Sequence, residues 1–175
     1  MANGKQKKAV RPRTPTGSGD GEGHTSLWDR PGFLVRRLHQ IHVALFLEEC
    51  AGDNITPVQY GLLSALLELG ERDQATLAEE VGIDRTNVAD VLDRLERRGL
   101  LTRTASERDK RMRLARLTDK GRAFVRKNRA AMQRAQERLL TPLADADRAR
   151  FLELLRRMVE GNNDFGRAPL RARDQ

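Results

Sequence analysis

Two clusters of polar and basic side chains could bind a polyanion. The first comprises Arg85, Thr86, Asn87, Asp90 and Arg94, and the second comprises Asp109, Lys110, Arg111 and Arg113. Guanidinium, ammonium, amide and hydroxyl groups hydrogen-bond to the base edges and phosphate oxygens of DNA. Each residue alone would be ordinary solvated surface, so the meaning of the clusters depends on the elements that carry them.

The first cluster lies on a predicted helix that begins after Asp84 and ends near Gly99. Its apolar residues recur at helical spacing, so the cluster, together with Asp93, is expected on the outward face. A shorter helix precedes it, with Thr76 and Glu79 as a predicted capping box. Two short helices joined by a glycine-containing turn form a helix-turn-helix, and the N-terminus of the second helix is where such modules meet base edges.

The second cluster lies in a predicted β-hairpin. Residues 100–105 and 112–117 are strand-like, and a charged turn separates them. A hairpin directly after a recognition helix is a wing, and Arg108 and Arg116 add to its positive charge. A loop that was only solvated would not require this excess of positive charge.

Three longer helices flank this module in the sequence. One runs from Phe33 to about residue 51 and has two semi-apolar faces; the others are predicted to begin after caps at Thr118 and Asp145. A capping box of Thr56 and Gln59 opens a further helix with Pro57 at its first position. A winged module needs no long flanking helices to fold, so we expect them to pack together and against a second copy, around Leu38, Leu45, Phe151 and Met158.

The predicted fold is therefore mainly α with a small β wing. We divide the chain into a flexible basic tail (1–25), an N-terminal dimerisation helix (26–54), a winged helix-turn-helix module (55–117), C-terminal dimerisation helices (118–163) and a flexible tail (164–175).

Composition agrees with a DNA partner without requiring one. The net charge is +8 over 175 residues, which favours a polyanion or simply a soluble surface. Cys50 is the single cysteine and cannot form an internal disulfide, as in a reducing compartment. No apolar run approaches the roughly 20 residues that span a bilayer, and no apolar segment follows the N-terminal lysines. We expect a cytoplasmic protein.

Several motifs together resemble the multiple antibiotic resistance regulator (MarR) family. They are QATLAE (74–79), DRTN (84–87), LDRLERRGL (92–100), DKR (109–111) and LTDKG (117–121), within a likeness that extends from Phe33 to Val159. The resemblance implies a homodimer clasped by its terminal helices, with recognition helices in successive major grooves of a pseudo-palindromic operator and wings at the minor groove. It also implies repression of nearby genes and a ligand site between the dimer helices and the DNA module. Residues 31–41 and 56–60 look like the branch that controls aromatic-acid breakdown, including nicotinate-type pathways.

The expected effector is a small aromatic carboxylate or phenol. Arg36, His39 and His42 could pair with its anionic group, while Trp28 and Tyr60 could cover its ring. The alternative, slightly favoured for either histidine taken alone, is that His39 and His42 are satisfied interface residues.

Other functions stay open at this stage. His39 and His42 are three residues apart on one helix but lack a convincing third metal ligand, so we expect no metal site. Thiol sensing through Cys50 is disfavoured because Glu48 and Glu49 precede it. An enzyme is disfavoured because no phosphate-binding glycine loop, nucleophile elbow or metal motif occurs, and no cofactor is expected. A constitutive architectural DNA-binding protein is the last alternative.

Overall fold

The computed structural model describes residues 26–166 and Pro169, apart from the side chain of Arg85. The predicted N-terminal tail (1–25) lies outside the described residues, as does most of the predicted C-terminal tail. The helices are α1 (Pro31–Glu49), α2 (Pro57–Leu69), α3 (Gln74–Val81), α4 (Arg85–Arg97), α5 (Asp119–Leu140) and α6 (Asp145–Gly161). The strands are β1 (Arg72–Asp73), β2 (Leu101–Ala105) and β3 (Arg113–Leu117), and short 3-10 turns occupy Leu27–Asp29 and Asn163–Phe165.

Helices α2, α4 and α5 begin directly after the capping residues that the sequence predicted for them. At α2 the Gln59 N–H donates to Thr56 Oγ1 (3.2 Å), and the Thr56 N–H donates to Gln59 Oε1 (3.1 Å). At α4 the Thr86 N–H donates to Asp84 Oδ1 (3.0 Å). At α5 the Gly121 N–H donates to Thr118 Oγ1 (3.0 Å). Each side chain thereby satisfies a backbone donor that has no partner within its helix.

Two predicted caps were wrong. Helix α3 begins before Thr76, because the Asp73 carboxylate accepts the N–H groups of Ala75 (2.9 Å) and Thr76 (3.0 Å) together with the Thr76 hydroxyl (2.6 Å). Helix α6 begins at Asp145 itself, after Ala144, and no side chain caps it. The Asp145 carboxylate instead pairs with Arg148 one turn later, at 2.9 Å.

The sheet is antiparallel with the strand order β1-β3-β2. The β2–β3 register runs from Leu101 opposite Leu117 to Ala105 opposite Arg113, which confirms the predicted hairpin. Strand β1 adds a third partner on the other side of β3 and was not predicted from the sequence. The mainly helical fold with a small β wing is confirmed.

The core lies between the helix-turn-helix, the base of the wing and the inner faces of α1 and α5. Its fully buried side chains are Phe46, Ile55, Leu62, Leu63, Leu77, Val88, Leu92, Leu95, Leu100 and Leu101. Helix α4 thus rests on the core through Val88, Leu92 and Leu95, which fixes the direction of its opposite face. None of the described helices is long and apolar enough to cross a membrane.

Helix α6 buries none of its residues in the described chain. Leu152, Leu155, Met158 and Val159 on α6 remain exposed, as do Leu34, Val35 and Ile41 on α1. Of the predicted dimer contacts, Leu38, Leu45 and Phe151 are half-buried, whereas Met158 is exposed. The single chain therefore leaves an extensive apolar surface on its first and last helices.

Candidate nucleic-acid interface and effector site

The outward face of α4 is polar and accessible. Thr86, Asn87, Asp90 and Arg94 are exposed, and Arg85 occupies the first position of the helix, with its side chain outside the described part of the structure. The Thr86 hydroxyl donates to Asp84 Oδ1 (2.8 Å), so its proton is engaged in the helix cap and its oxygen is left as an acceptor.

The Asp93 side chain, which was expected on this outward face, is 49% exposed. Its carboxylate pairs with the Arg103 guanidinium of β2. Arg103 also pairs with Glu96 at 2.7 Å. Sequence reasoning missed Arg103, because a charged residue in an alternating strand gives no sign of which neighbour it meets.

The wing presents cations to solvent. Lys110, Arg111 and Arg113 are exposed, as are Arg108 and Arg116. Among the described residues, no carboxylate lies within 4.0 Å of Arg108, Lys110, Arg111 or Arg113 in an ion pair. These charges are therefore available to an external anion.

Backbone-directed hydrogen bonds hold the tip of the wing. The carboxylate of Asp109 accepts the N–H of Arg111 (2.9 Å), and its carbonyl accepts the N–H of Met112 (2.9 Å). Sequence analysis missed Ser106, which is buried and whose Oγ accepts the N–H groups of Arg108 (3.2 Å) and Asp109 (3.5 Å). A serine immediately before a charged turn is a local signal that could have identified it.

The predicted effector residues are spread between solvent and core. Trp28 precedes α1 and is 66% exposed, whereas Tyr60 is 6% exposed and its hydroxyl donates to the Val125 carbonyl at 3.5 Å. In the single chain the two rings therefore do not share an exposed surface. Arg36 and His39 are exposed on α1, and the Arg36 guanidinium lies 5.4 Å from the centre of the Phe33 ring.

His42 is half-buried on the same helix. Burial, and then the charge of His39, lowers the pKa of the His42 imidazole below its usual value. The neutral ring offers one hydrogen-bond donor and one acceptor, which suits either a packed interface or an aromatic acid.

Cys50 lies at the end of α1 and is buried. Burial raises the pKa of its thiol, and the carboxylates of Asp53 and Glu49 raise it further, against a smaller opposing effect of Arg134. A thiolate is therefore disfavoured at this position. Within residues 26–166, His39 and His42 belong to no group of three or more side chains that could hold a metal ion.

Comparison with known proteins identifies the family. A MarR-family model matches residues 53–112. The solved structure of BpsR from Bordetella bronchiseptica, whose DNA binding is regulated by 6-hydroxynicotinic acid, is 30% identical with a TM-score of 0.75, over 79% of this chain and 99% of that one. PcaV from Streptomyces coelicolor, solved with its natural ligand, is 38% identical with a TM-score of 0.72, over 79% and 97%. The curated transcriptional repressor NicR of Pseudomonas putida is 26% identical over 79% of this chain and 87% of its own length. The chain belongs to the MarR family of transcriptional regulators.

Proposed function

We propose that this chain is a homodimeric transcriptional repressor that a small aromatic carboxylate or phenol releases from its operator. The observation that carries the proposal is the likeness to BpsR over 79% of the chain, because the DNA binding of that protein is regulated by a hydroxylated aromatic acid. NicR and PcaV support the same class, the first as a repressor and the second as a ligand-binding regulator. The compartment of action would be the cytoplasm.

In this proposal, the N-terminus of α4 enters the major groove and the wing reaches the minor groove. The base-reading set is Arg85, Thr86, Asn87, Asp90 and Arg94, and the wing set is Asp109, Lys110, Arg111 and Arg113. All members of both sets whose side chains the structure describes are exposed, and the described wing cations make no ion pairs, which supports these roles. Arg111 is the proposed minor-groove residue, and Asp109 holds its backbone.

The proposed dimer forms through residues 26–54 and 118–163, which flank the DNA module of residues 55–117. The exposed leucines and Met158 on α6, together with Leu34, Val35 and Ile41 on α1, supply the apolar area that a stable interface needs. A twofold dimer places two recognition helices about 10 base pairs apart, one turn of the duplex. The operator should therefore be a pseudo-palindrome.

The proposed effector site lies along α1. Arg36 and His39 would pair with the carboxylate, His42 would hydrogen-bond to it or to a ring hydroxyl, and Trp28 would cover the ring. Tyr60, whose ring centre is 6.0 Å from that of Phe46, would close the site from the core side. The ligand weakens DNA binding only if it favours a dimer whose recognition helices are wrongly spaced.

Fluorescence anisotropy on a duplex selected by the protein from random sequence tests this function. We expect a dimer that prefers this duplex and is released by at least one benzoate, cinnamate or hydroxynicotinate, with release weakened by Arg36→Ala or His39→Ala. Release by peroxide or zinc alone would instead support a redox or metal sensor. Binding without sequence preference would support an architectural protein, and turnover of the aromatic acid would support an enzyme.

A further inference from the structure

We infer that Arg103 is a positioning residue that holds the wing at a fixed angle to α4, so that the two elements reach their grooves together. The inference rests on the proposed DNA contacts. Arg103 itself lies behind the exposed faces of both elements.

Arg103 joins the middle of β2 to the last turns of α4. It pairs with Ala115 of β3 within the sheet. Its backbone N–H donates to Glu96 Oε1 (2.9 Å), while its Nε and Nη2 donate to Glu96 Oε2 (2.9 and 2.7 Å). Nη2 also donates to Asp93 Oδ1. Backbone and side chain of one strand residue are thus both fixed to the helix.

These bonds provide a second point of attachment. At its base, the hairpin is tied to α4 by the Leu100 N–H, which donates to the Leu95 carbonyl (3.1 Å). The sheet is also held by β1, which pairs with Leu114 and Ala115 of β3, and by the burial of Leu101 and Leu117 in the core. Arg103 lies three residues further along β2, about 10 Å from the Leu100 bond, and adds a second hydrogen-bonded attachment to α4 itself at that level.

The chemistry suits a rigid contact. The Arg103 side chain is 13% exposed, against 49% for Asp93 and 34% for Glu96. Charge-assisted bonds to a partly desolvated guanidinium are short and directional, and its planar fork fixes an angle that a lysine ammonium does not.

A second role for the same contacts must be separated by experiment. Two carboxylates meet one guanidinium here, on the helix whose outer face is proposed to meet DNA. Removing Arg103 would leave both carboxylates unpaired, and their charge alone would repel phosphates. Arg103 could act by fixing the angle of the wing or by neutralising the two carboxylates. Variants that change only the geometry or only the charge distinguish these two roles.

The test compares Arg103→Lys, which keeps the charge but loses the fork, with the triple variant R103M/D93N/E96Q, which loses the fork and leaves no unpaired charge. Arg150→Lys is the matched control, because Arg150 pairs with Glu153 on α6 at 2.7 Å, outside the DNA module. Each protein is measured by anisotropy on the selected duplex and on a scrambled one. Hydroxyl-radical footprinting reports protection in the minor groove, and dimethyl sulfate protection of guanine N7 reports protection in the major groove. Thermal unfolding and sedimentation confirm that each is folded and dimeric.

We expect the ratio of specific to scrambled affinity to fall about tenfold in both Arg103 variants, comparable to losing one base-edge contact. The minor-groove protection from the wing should be lost while the major-groove protection persists, and Arg150→Lys should match the wild type. Should the triple variant keep a ratio within about twofold of the wild type, Arg103 would act only through charge and the inference would fail. A wild-type protein that selects no duplex would overturn the proposed function and the inference with it.

Discussion

Gly121→Ala should destabilise the junction between the wing and α5. A Cβ on Gly121 would lie 1.9 Å from the carbonyl oxygen of Leu100 and 2.9 Å from its carbonyl carbon. Both are backbone atoms, so no side-chain rotation relieves the overlap. Leu117 Cδ2 lies 3.1 Å from the same point, which limits movement in another direction. The start of α5 and the base of the wing must therefore separate.

The loss of stability comes from the hydrogen bonds that this separation would break. The Leu100 carbonyl accepts the Thr118 N–H at 3.2 Å, and the Thr118 hydroxyl donates to the Gly99 carbonyl at 2.7 Å while accepting the Gly121 N–H. Overpacking costs about 1–3 kcal/mol, and a weakened N-cap adds about 1 kcal/mol. We expect a loss of roughly 2–4 kcal/mol in the free energy of unfolding, which lowers Tm by roughly 5–15 °C in a domain of this size.

Differential scanning calorimetry and urea unfolding measure this loss. Gly32→Ala is the matched control, since a Cβ at Gly32 in α1 would meet no atom within 4 Å and should be neutral or slightly stabilising. A Gly121→Ala protein whose Tm equals that of Gly32→Ala would refute the reasoning, since the overlap with Leu100 would then have been relieved at no cost.

Three further predictions follow from single groups. Asp109→Ala should weaken operator binding about fivefold, because the N–H of Arg111 loses its acceptor and the wing tip loosens; tighter binding in an anisotropy titration would show that Asp109 acts through repulsion. Cys50 should react slowly with thiol reagents in the native protein and rapidly in urea, because burial and neighbouring carboxylates raise the pKa of its thiol. Fast labelling of the native protein would instead support thiol sensing through Cys50. Burial, and then the charge of His39, lowers the pKa of His42, so the unfolded chain binds this proton more tightly and Tm should fall as the pH drops below 6.5. His42→Gln should flatten that slope, and an unchanged slope would assign it to other groups.

Local chemistry made the starts of α2, α4 and α5 and the hairpin of the wing predictable. Thr56 and Gln59 close a reciprocal cap that depends on residues three apart, so the start of α2 could be found without knowledge of the fold. Strand β1 could not be found in this way. Its two residues are a strand only because Arg72 and Asp73 pair with Ala115 and Leu114 of β3, which is a tertiary event.

The same distinction applies to the candidate site. Exposed cations at a hairpin tip are predictable, because a turn projects its side chains into water. The pairing of Arg103 with Glu96 and Asp93 was not, since the angle between wing and helix decides which carboxylate a strand arginine reaches. The charge pattern of the sequence therefore predicted the exposed cationic surface of the wing. The contacts that orient the wing could be identified only from the structure.

Backbone carbonyl groups connect the segment after α1 to the recognition helix α4, and no sequence pattern identifies them as hydrogen-bond acceptors. After α1 ends, the carbonyls of Asp53 and Asn54 accept hydrogen bonds from the Arg98 guanidinium, at 2.7 and 2.8 Å. Arg98 directly follows α4 and caps its C-terminus, and its own carbonyl accepts a bond from Lys120 Nζ of α5 at 2.7 Å. The Asp53 carboxylate pairs with Lys127 of α5 at 2.8 Å. Hydrogen bonds and an ion pair thus join the segment after α1 to the end of α4 and to the first turns of α5. A movement of α1 relative to the DNA module would therefore strain the hydrogen bonds at the end of α4. An effector bound along α1, as proposed, would therefore act on the end of α4 through these bonds without touching the recognition helix.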